Sequence, residues 1–241
     1  MEVVILCGGD GTRMWPYTQK VPKAMIPIGG RPILWHIMKL FAKNGHKEFK
    51  LLVGYKKSLI KKYFDNPKNT EPDWNIEYSN AGRGASKGKR IIEAYKEGKI
   101  KGDNFILAYG DDLCNVNIDD VIKKHNENGK LVTLTSVKLV SDFGILELNG
   151  DDTVRQFREK PQLEHWINGG YIVMSKKVIS DYMIKNGGDE TDAFEHFAKS
   201  GGVQVFKYDG FWKTMNTIKD MNILEELWKK GELQKQLKHV S

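Results

Sequence analysis

Residues 3–16, VVILCGGDGTRMWP, constrain the fold of this chain more than any other stretch. A short apolar run, typical of a buried strand, leads into a loop of three glycines and an arginine. Gly8, Gly9 and Gly11 let the backbone approach a ligand, and successive free N–H groups in such a turn bind anions. Arg13 adds a guanidinium that suits phosphate. The stretch predicts a strand that ends in a polyphosphate-binding loop, and the alternative is a tight turn with a surface arginine.

Two familiar phosphate loops do not match this stretch. A Walker A loop needs Gly-Lys-Ser or Gly-Lys-Thr after four residues, and the chain has none here. A dinucleotide fingerprint needs a third glycine or an alanine where this chain has Met14. The loop is therefore expected to bind its anion in another way.

Apolar runs and amphipathic helical patterns alternate along the first half of the chain. The strand-like runs are residues 3–7, 49–53, 75–78, 104–108 and 131–137. Between the first two, RPILWHIMKLFAKNG begins near Pro32 and ends at Gly45, as helices often do. Strands that alternate with helices predict an α/β fold with a mostly parallel sheet and helices on both faces.

The second half of the chain favours antiparallel additions to that sheet. FGILELNGDDTVRQF predicts a hairpin with a turn at Asn149–Gly150. Residues 166–174 predict another strand, and residues 202–215 predict one or two more. Residues 217–230 predict a final amphipathic helix.

The net charge of +7 indicates an anionic partner. The lysines are spread along the chain, which favours a small phosphorylated molecule over nucleic acid. No apolar run approaches the roughly 20 residues of a membrane helix, and the N-terminus does not match a signal peptide. Cys7 and Cys114 are expected to be buried free thiols in a reducing cytoplasm, rather than a disulfide.

Two further segments carry groups suited to phosphate chemistry. Lys23 lies between Pro22 and an apolar pair, where a stiff backbone holds its ammonium in place. NFILAYGDDLCN is an apolar strand that ends in Asp111 and Asp112, and open α/β sheets bind ligands at such ends. Carboxylates suit Mg²⁺, which usually takes one or two of them plus substrate phosphates. The alternative for this pair is a solvated turn or a helix cap.

The motifs GGDGTRMWP and PKAMIPIGGRPIL resemble the signature of the sugar-1-phosphate nucleotidyltransferases. Later stretches, among them WINGGYIV and FWKTMNTIKDMNILEELW, are most similar to the glucose-1-phosphate cytidylyltransferase subfamily. The resemblance implies a Rossmann-like, GT-A-like fold. It also implies one domain over residues 1–241, with a nucleotide-binding half of about 1–138 and an acceptor-binding half of about 139–241.

The resemblance assigns a role to each matching position on the nucleotide side. Arg13 and Lys23 are implied to be catalytic, because they neutralise the triphosphate and the leaving pyrophosphate. The other implied nucleotide contacts are Leu6, Gly8, Gly9, Gly11, Thr12, Lys56, Gly88 and Arg90. Nothing in these residues distinguishes CTP from UTP or dTTP.

The resemblance also implies acceptor and metal sites, with two departures. The implied acceptor contacts are Gly144, Glu159, Lys160, Asn168 and Gly169. The first metal aspartate matches Asp111, but the second position holds Asn216, so weaker metal binding or recruitment of Asp112 is expected. Asp142 stands where an arginine is common.

Each of these assignments has a structural alternative. Glu159 and Lys160 also suit an exposed hairpin end, and the glycines of WINGGYIV also suit a β-bulge. Asn216 also suits the cap of the final helix.

The resemblance implies that CTP and glucose 1-phosphate are joined with release of pyrophosphate, with Mg²⁺ as cofactor, by a cytoplasmic homo-oligomer. One alternative is the same chemistry with another nucleotide or another acceptor, such as a heptose phosphate or a non-sugar phosphate. Another is a nucleotide-binding regulatory module without catalysis.

Overall fold

The central feature of the computed structural model, which describes residues 1–237, is a seven-stranded sheet. The strands of the described chain are β1 Val3–Leu6, β2 Pro27–Ile28, β3 Arg31–Pro32, β4 Glu48–Val53, β5 Asn75–Asn80, β6 Asn104–Tyr109, β7 Asp112–Cys114, β8 Val132–Val140, β9 Ile145–Leu148, β10 Val154–Arg158, β11 Gln162–Ser175, β12 Val203–Lys207 and β13 Trp212–Thr214. The large sheet has the order β12-β8-β11-β6-β1-β4-β5.

The predicted parallel sheet with antiparallel additions is confirmed. Strand β1 pairs in parallel with both β4 and β6, and β5 and β12 extend the sheet in parallel at its two ends. The long strand β11 runs antiparallel between β6 and β8. Strand β1 lies beside the central strand β6, and the chain leaves β1 for β4 on one side and later returns to β6 on the other. Ligands of open α/β sheets bind outside such a point.

Helices cover both faces of the sheet. They are α1 Tyr17–Lys20, α2 Ile33–Lys43, α3 Lys57–Phe64, α4 Lys87–Lys96, α5 Ile118–Asn128, α6 Ile184–Asn186, α7 Glu190–Lys199, α8 Ile218–Lys229 and α9 Glu232–Leu237. Side chains of β1 alternate between two apolar clusters: Val3 and Ile5 pack in one, and Val4 and Leu6 in the other. This period of two is what a strand buried on both faces requires.

The helix boundaries follow local signals. Helix α2 begins after Pro32, and Gly45, just beyond its end, has a φ of 81°. Helix α8 begins after Thr217, which forms a capping box with Asp220. The cap is therefore Thr217, and the alternative reading of Asn216 as the cap is wrong. Helix α9 was not predicted from the sequence.

The hairpin of β9 and β10 projects with most of its side chains exposed. Its two strands pair antiparallel, as predicted. The turn is longer than a two-residue Asn-Gly turn, because the Asn149 N–H donates to the Thr153 carbonyl at 2.8 Å. The positive φ of 63° falls at Asp152 rather than at Gly150.

Two sequence-based expectations about the whole chain can be compared with the described residues. Cys7 and Cys114 are both buried and free, as predicted. Within residues 1–237, no helix has the length and apolar character needed to cross a membrane.

Candidate functional site

A cleft of about 400 Å³ opens at the carboxyl ends of β1 and β6. This volume lies in the range of small-molecule sites. On the β1 side, the predicted residues that line the cleft are Leu6, Gly8, Gly9, Gly11 and Arg13. From more distant parts of the chain, the predicted residues that line it are Lys23, Arg90, Asp111, Asp112 and Asn216.

The glycines of the loop after β1 serve different purposes. A Cβ at Gly8 would lie 2.4 Å from the Arg90 guanidinium, so this glycine is required by packing. Gly11 has a φ of 63°, a conformation that favours glycine. A Cβ at Gly9 would meet no atom within 4 Å, so the backbone there faces open space. Gly9 is therefore the loop position that a ligand can approach.

Arg90 holds the loop in place. Its side chain is buried, and its guanidinium donates to the Val53 carbonyl at 2.7 Å and to the Gly8 carbonyl at 2.9 Å. These bonds tie the loop after β1 to the end of β4. Arg90 lines the cleft as predicted, and these bonds give it a further role in holding the backbone that the nucleotide would meet.

Gly88 does not line the cleft, contrary to its implied nucleotide contact. Its N–H donates to the Asp189 carboxylate at 2.7 Å, and a Cβ would lie 2.0 Å from the Gly188 carbonyl oxygen. The absence of a side chain at Gly88 therefore lets α4 pack against the start of α7.

Lys56 and Thr12 also lie outside the cleft lining. The Lys56 ammonium donates to the carbonyls of Gln19 and Lys20, the latter at 3.0 Å. It anchors the segment of α1 instead of facing the cleft. Thr12 is exposed in the first position of a 3₁₀ turn.

Lys23, a predicted catalytic residue, contacts two of the predicted metal positions, Asp111 and Asn216. Its ammonium forms a close ion pair with Asp111 and donates to the Asn216 amide oxygen at 2.8 Å. The Arg13 guanidinium donates to the same oxygen at 3.3 Å. Two cations therefore share one uncharged acceptor beside the open face of Gly9.

Two hydrogen bonds, one from the side chain and one from the backbone, fix the position of Asn216. Its amide N–H group donates to the Thr214 hydroxyl at 2.9 Å, and its backbone N–H donates to Asp220 at 3.0 Å. The amide oxygen is consequently directed at Arg13 and Lys23.

Asp112 is a buried carboxyl next to Asp111. Only 7% of it is exposed, and burial followed by the charge of Asp111 raises its pKa to about 7. A hydrogen bond with Thr214 acts in the opposite direction. Gly170 is required beside it, because a Cβ there would lie 2.4 Å from the Asp112 carboxylate.

These oxygen donors fit a hard divalent cation. Asp111 and Asp112 supply carboxylates, and Asn216 supplies an amide oxygen, at the carboxyl end of β6. Two carboxylates and one amide oxygen suit a metal such as Mg²⁺, which usually takes one or two protein carboxylates together with substrate phosphates and water. Within residues 1–237 there is no group of three or more His, Cys, Asp or Glu side chains placed to hold a metal.

Most of the implied acceptor residues do not meet the cleft. Lys160 and Glu159 lie after the hairpin, with side chains 59% and 61% exposed, and pair with each other at 3.7 Å. Gly144 packs beneath the Phe157 ring. Asp142 pairs with Lys219 at 2.7 Å, a hydrogen bond that lowers its pKa.

Asn168 and Gly169 lie on β11 at an irregularity in its pairing with β8. The Gly169 carbonyl accepts a hydrogen bond from the Trp212 indole at 2.9 Å. Asn168 donates to the Tyr109 hydroxyl at 3.5 Å, and Tyr109 does line the cleft. Asn168 is thus connected to the cleft through Tyr109. The irregular pairing of β11 with β8 agrees with the alternative interpretation of Gly169 and Gly170 as part of a β-bulge.

Sequence reasoning missed Lys87 and Tyr109 in the cleft lining. Tyr109 immediately precedes the Gly-Asp-Asp segment, and no sequence pattern separates it from the residues of the strand before it. The signal that could identify Lys87 is its position, because it is a cation in the first turn of a helix, where the helix dipole disfavours positive charge.

Comparison with known proteins gives matches over most of the chain. A family model for nucleotidyl transferases matches residues 2–221. The glucose-1-phosphate cytidylyltransferase of Salmonella typhimurium is 36% identical, with 96% of this chain and 97% of that protein covered. The probable glucose-1-phosphate cytidylyltransferase of Bacillus subtilis is also 36% identical, with 96% and 98% covered.

The fold is also similar to that of a solved structure. The crystal structure of a UDP-glucose pyrophosphorylase complexed with UDP-glucose superposes with a TM-score of 0.74. It is 18% identical, with 95% of this chain and 98% of that chain covered, so the likeness concerns the fold alone.

Proposed function

Because the chain belongs to the nucleotidyl transferase family, we propose that it transfers the cytidylyl group of CTP to glucose 1-phosphate and releases pyrophosphate. Support for this pair of substrates comes from the two cytidylyltransferases that are 36% identical over nearly the whole chain. The observation that carries the proposal is the pairing of Arg13 and Lys23 with Asn216, beside the open backbone of Gly9.

The residues of the cleft suit in-line transfer at the α-phosphorus of the triphosphate. A phosphomonoester is already anionic near neutral pH, so the attacking oxygen needs no general base. Arg13 and Lys23 bind the triphosphate and stabilise the charge that passes to the leaving pyrophosphate. Arg90 keeps the loop backbone in position through its bonds to Gly8 and Val53.

We propose Mg²⁺ as the cofactor, with Asp111 as its main ligand and Asn216 or Asp112 as further oxygen donors. When bound, it supplies positive charge against the phosphates. The two neighbouring carboxyls, Asp111 and the buried Asp112, would hold such a cation. Lys23 contacts Asn216 as well as Asp111, so it would keep one acceptor if Asp111 held a metal.

A second candidate is the same transfer with a different nucleotide or acceptor. It is favoured by the exposed positions of Glu159 and Lys160, and by the ion pair between Asp142 and Lys219. A non-catalytic module is disfavoured, because Arg13, Lys23 and Asp111 all line one cleft.

We also propose one domain, a homo-oligomer and a cytoplasmic location. Strands β11 and β12 of the second half join the sheet of the first half, which supports one domain. Exposed apolar side chains on the hairpin support an oligomer. Two buried free thiols suit a reducing compartment.

The test is pyrophosphate release over a panel of nucleoside triphosphates and sugar phosphates, with mass detection of the product. We expect CDP-glucose from CTP and glucose 1-phosphate. A faster reaction with another pair would favour the second candidate. No release with any pair, together with measurable nucleotide binding, would contradict the enzymatic proposal.

A further inference from the structure

Lys87 is a cation of the cleft whose position needs an explanation. It is the first residue of α4, and the first turn of this helix contains no acidic residue. A lysine there opposes the positive end of the helix dipole. Its side chain is nevertheless only 46% exposed, so another group holds it against the wall of the cleft.

That group is Glu190, at the start of α7. Its side chain is fully buried, and one carboxylate oxygen lies 2.6 Å from the Lys87 ammonium. The same oxygen accepts the Tyr109 hydroxyl at 2.8 Å. The other oxygen has no hydrogen-bond partner among residues 1–237. Burying an incompletely paired carboxylate lowers the stability of the fold. The ion pair with Lys87 gives a reason for an unfavourable residue at position 190.

The cluster faces the acceptor half of the chain. Glu190 belongs to that half, and the Tyr109 hydroxyl accepts a hydrogen bond from Asn168 of β11. Gly170, also on β11, approaches Tyr109 so closely that a Cβ would lie 2.9 Å from the ring. Lys87 also lies 4.8 Å from the centroid of this ring.

The other cations of the cleft are already assigned. Arg13 and Lys23 contact Asn216 beside the glycine loop, and Arg90 is bonded to backbone carbonyls. Lys160, the implied acceptor lysine, lies outside the cleft lining. Among the residues of 1–237 that line the cleft, Lys87 is therefore the cation left for an anion on the acceptor side.

We propose that Lys87 binds the phosphate of the acceptor monoester, and that Glu190 is the positioning residue that holds its ammonium at the cleft wall. This inference rests on the proposed function, because it assumes a phosphorylated acceptor in the same cleft. Tyr109 supports Glu190 from the end of β6, and Asn168 connects the cluster to β11.

Calorimetry with Lys87→Met tests the inference. Glucose 1-phosphate is titrated into protein saturated with a non-hydrolysable CTP analogue, and the analogue alone is titrated into free protein. We expect the Kd of glucose 1-phosphate to rise about tenfold or more, since a charge-assisted hydrogen bond is lost. The Kd of the analogue should change by less than about twofold. Lys89→Met is the matched control, since Lys89 is an exposed lysine two residues along the same helix.

Glu190→Gln and Lys87→Arg complete the set. We expect Glu190→Gln to raise the KM for glucose 1-phosphate more than it lowers kcat, and Lys87→Arg to restore part of the binding lost in Lys87→Met. Thermal melting of each variant establishes that it is folded.

Three results would overturn the inference. They are an unchanged Kd for glucose 1-phosphate in Lys87→Met, a loss of affinity for the CTP analogue in that variant that equals or exceeds the loss for glucose 1-phosphate, and no binding of glucose 1-phosphate to the unsubstituted protein. Failure of the proposed function is a different result. In that case the unsubstituted protein releases no pyrophosphate, while glucose 1-phosphate still binds in a Lys87-dependent way.

Discussion

At the scale of single residues, the cleft depends on an uncharged side chain between cations. The Asn216 amide oxygen accepts hydrogen bonds from Arg13 and Lys23 without neutralising them. An aspartate at this position would form two ion pairs and leave less positive charge for a triphosphate. The asparagine thus favours phosphate binding at the expense of metal binding.

We expect Arg13→Ala and Lys23→Ala each to lower kcat by about 10²–10³, because each removes a preorganised cation from the charge that develops on transfer. Initial rates of pyrophosphate release measure this effect. Lys20→Ala, which removes an exposed lysine nearby, is the control and should retain its rate. A rate within twofold or so of the unsubstituted protein for either variant would contradict the role given to that residue.

Asn216→Asp should lower the Mg²⁺ concentration needed for half-maximal activity, because a carboxylate replaces an amide among the oxygen donors. Titration of activity with MgCl₂ measures the change, and Asn222→Asp, at an exposed amide outside the cleft, controls for the added charge. A half-maximal concentration that stays the same or rises would argue against Asn216 as a metal ligand.

At the scale of elements, α2 and α8 pack together around a buried histidine. His36 of α2 is fully buried, and its Nε2–H donates to the Ile28 carbonyl at 2.9 Å. Its ring lies 5.3 Å from the ring of Trp228 in α8. Helix α8 in turn carries the capping box that begins one residue after Asn216, so the helix helps to place the cleft.

The pH dependence of stability follows from this burial. Burial lowers the pKa of His36 below its usual 6.5, with the Ile28 hydrogen bond acting against it. The native ring therefore stays neutral where the unfolded ring takes up a proton, and this contribution to the unfolding free energy is lost as the pH drops through about 6.5. Asp112, whose pKa is raised to about 7, contributes a slope of the opposite sign in the same range. Urea unfolding between pH 5.5 and 8 measures the slope.

His36→Gln should make the increase of the unfolding free energy with pH smaller by the His36 contribution, since its amide can keep the donor to Ile28 without titrating. His125, whose pKa burial also lowers, contributes in the same direction and leaves a residual slope. His165→Gln, at an exposed site, serves as the control. An equally steep slope in His36→Gln would contradict the account.

Thr217→Ala should lower the unfolding free energy by about 1 kcal/mol, because it removes the side-chain acceptor of the α8 capping box. Thermal and urea unfolding measure the loss. Thr217→Ser, which keeps the hydroxyl, should lose much less. Equal losses in the two variants would mean that the hydroxyl does not stabilise the helix.

The elements that could be predicted are those with local signals. The alternation of apolar runs and amphipathic segments is sufficient for the sheet, and the glycine loop marks the cleft. The bonds of Arg90 and Gly88 and the pairing of Lys87 with Glu190 join distant segments, so no local pattern contains them. Glu159 and Lys160 matched a local motif, but the hairpin before them carries them away from the cleft lining.

At the scale of the whole molecule, the hairpin of β9 and β10 presents large apolar side chains to solvent. Phe143 is 77% exposed, and Leu146 and Phe157 are also exposed nearby. A two-stranded hairpin is marginally stable alone in water, and an exposed apolar patch is typical of an interaction surface. This surface fits the homo-oligomer that we propose.

Light scattering coupled to gel filtration should give a mass that is a multiple of the chain. The double variant Phe143→Ser and Leu146→Ser should shift it towards the monomer, because it removes apolar area from the hairpin. Ile184→Ser, at an exposed apolar residue elsewhere, should not. A monomeric unsubstituted protein, or an oligomer unaffected by the double variant, would contradict the hairpin interface.

The central claim is that the loop after β1 binds the triphosphate of the nucleotide. A crystal structure of the protein with CTP and Mg²⁺ tests it most directly. We expect the phosphates to lie over Gly9, with Arg13 and Lys23 as their cationic contacts. Density for CTP at another place, with the loop after β1 free of phosphate, would contradict the account.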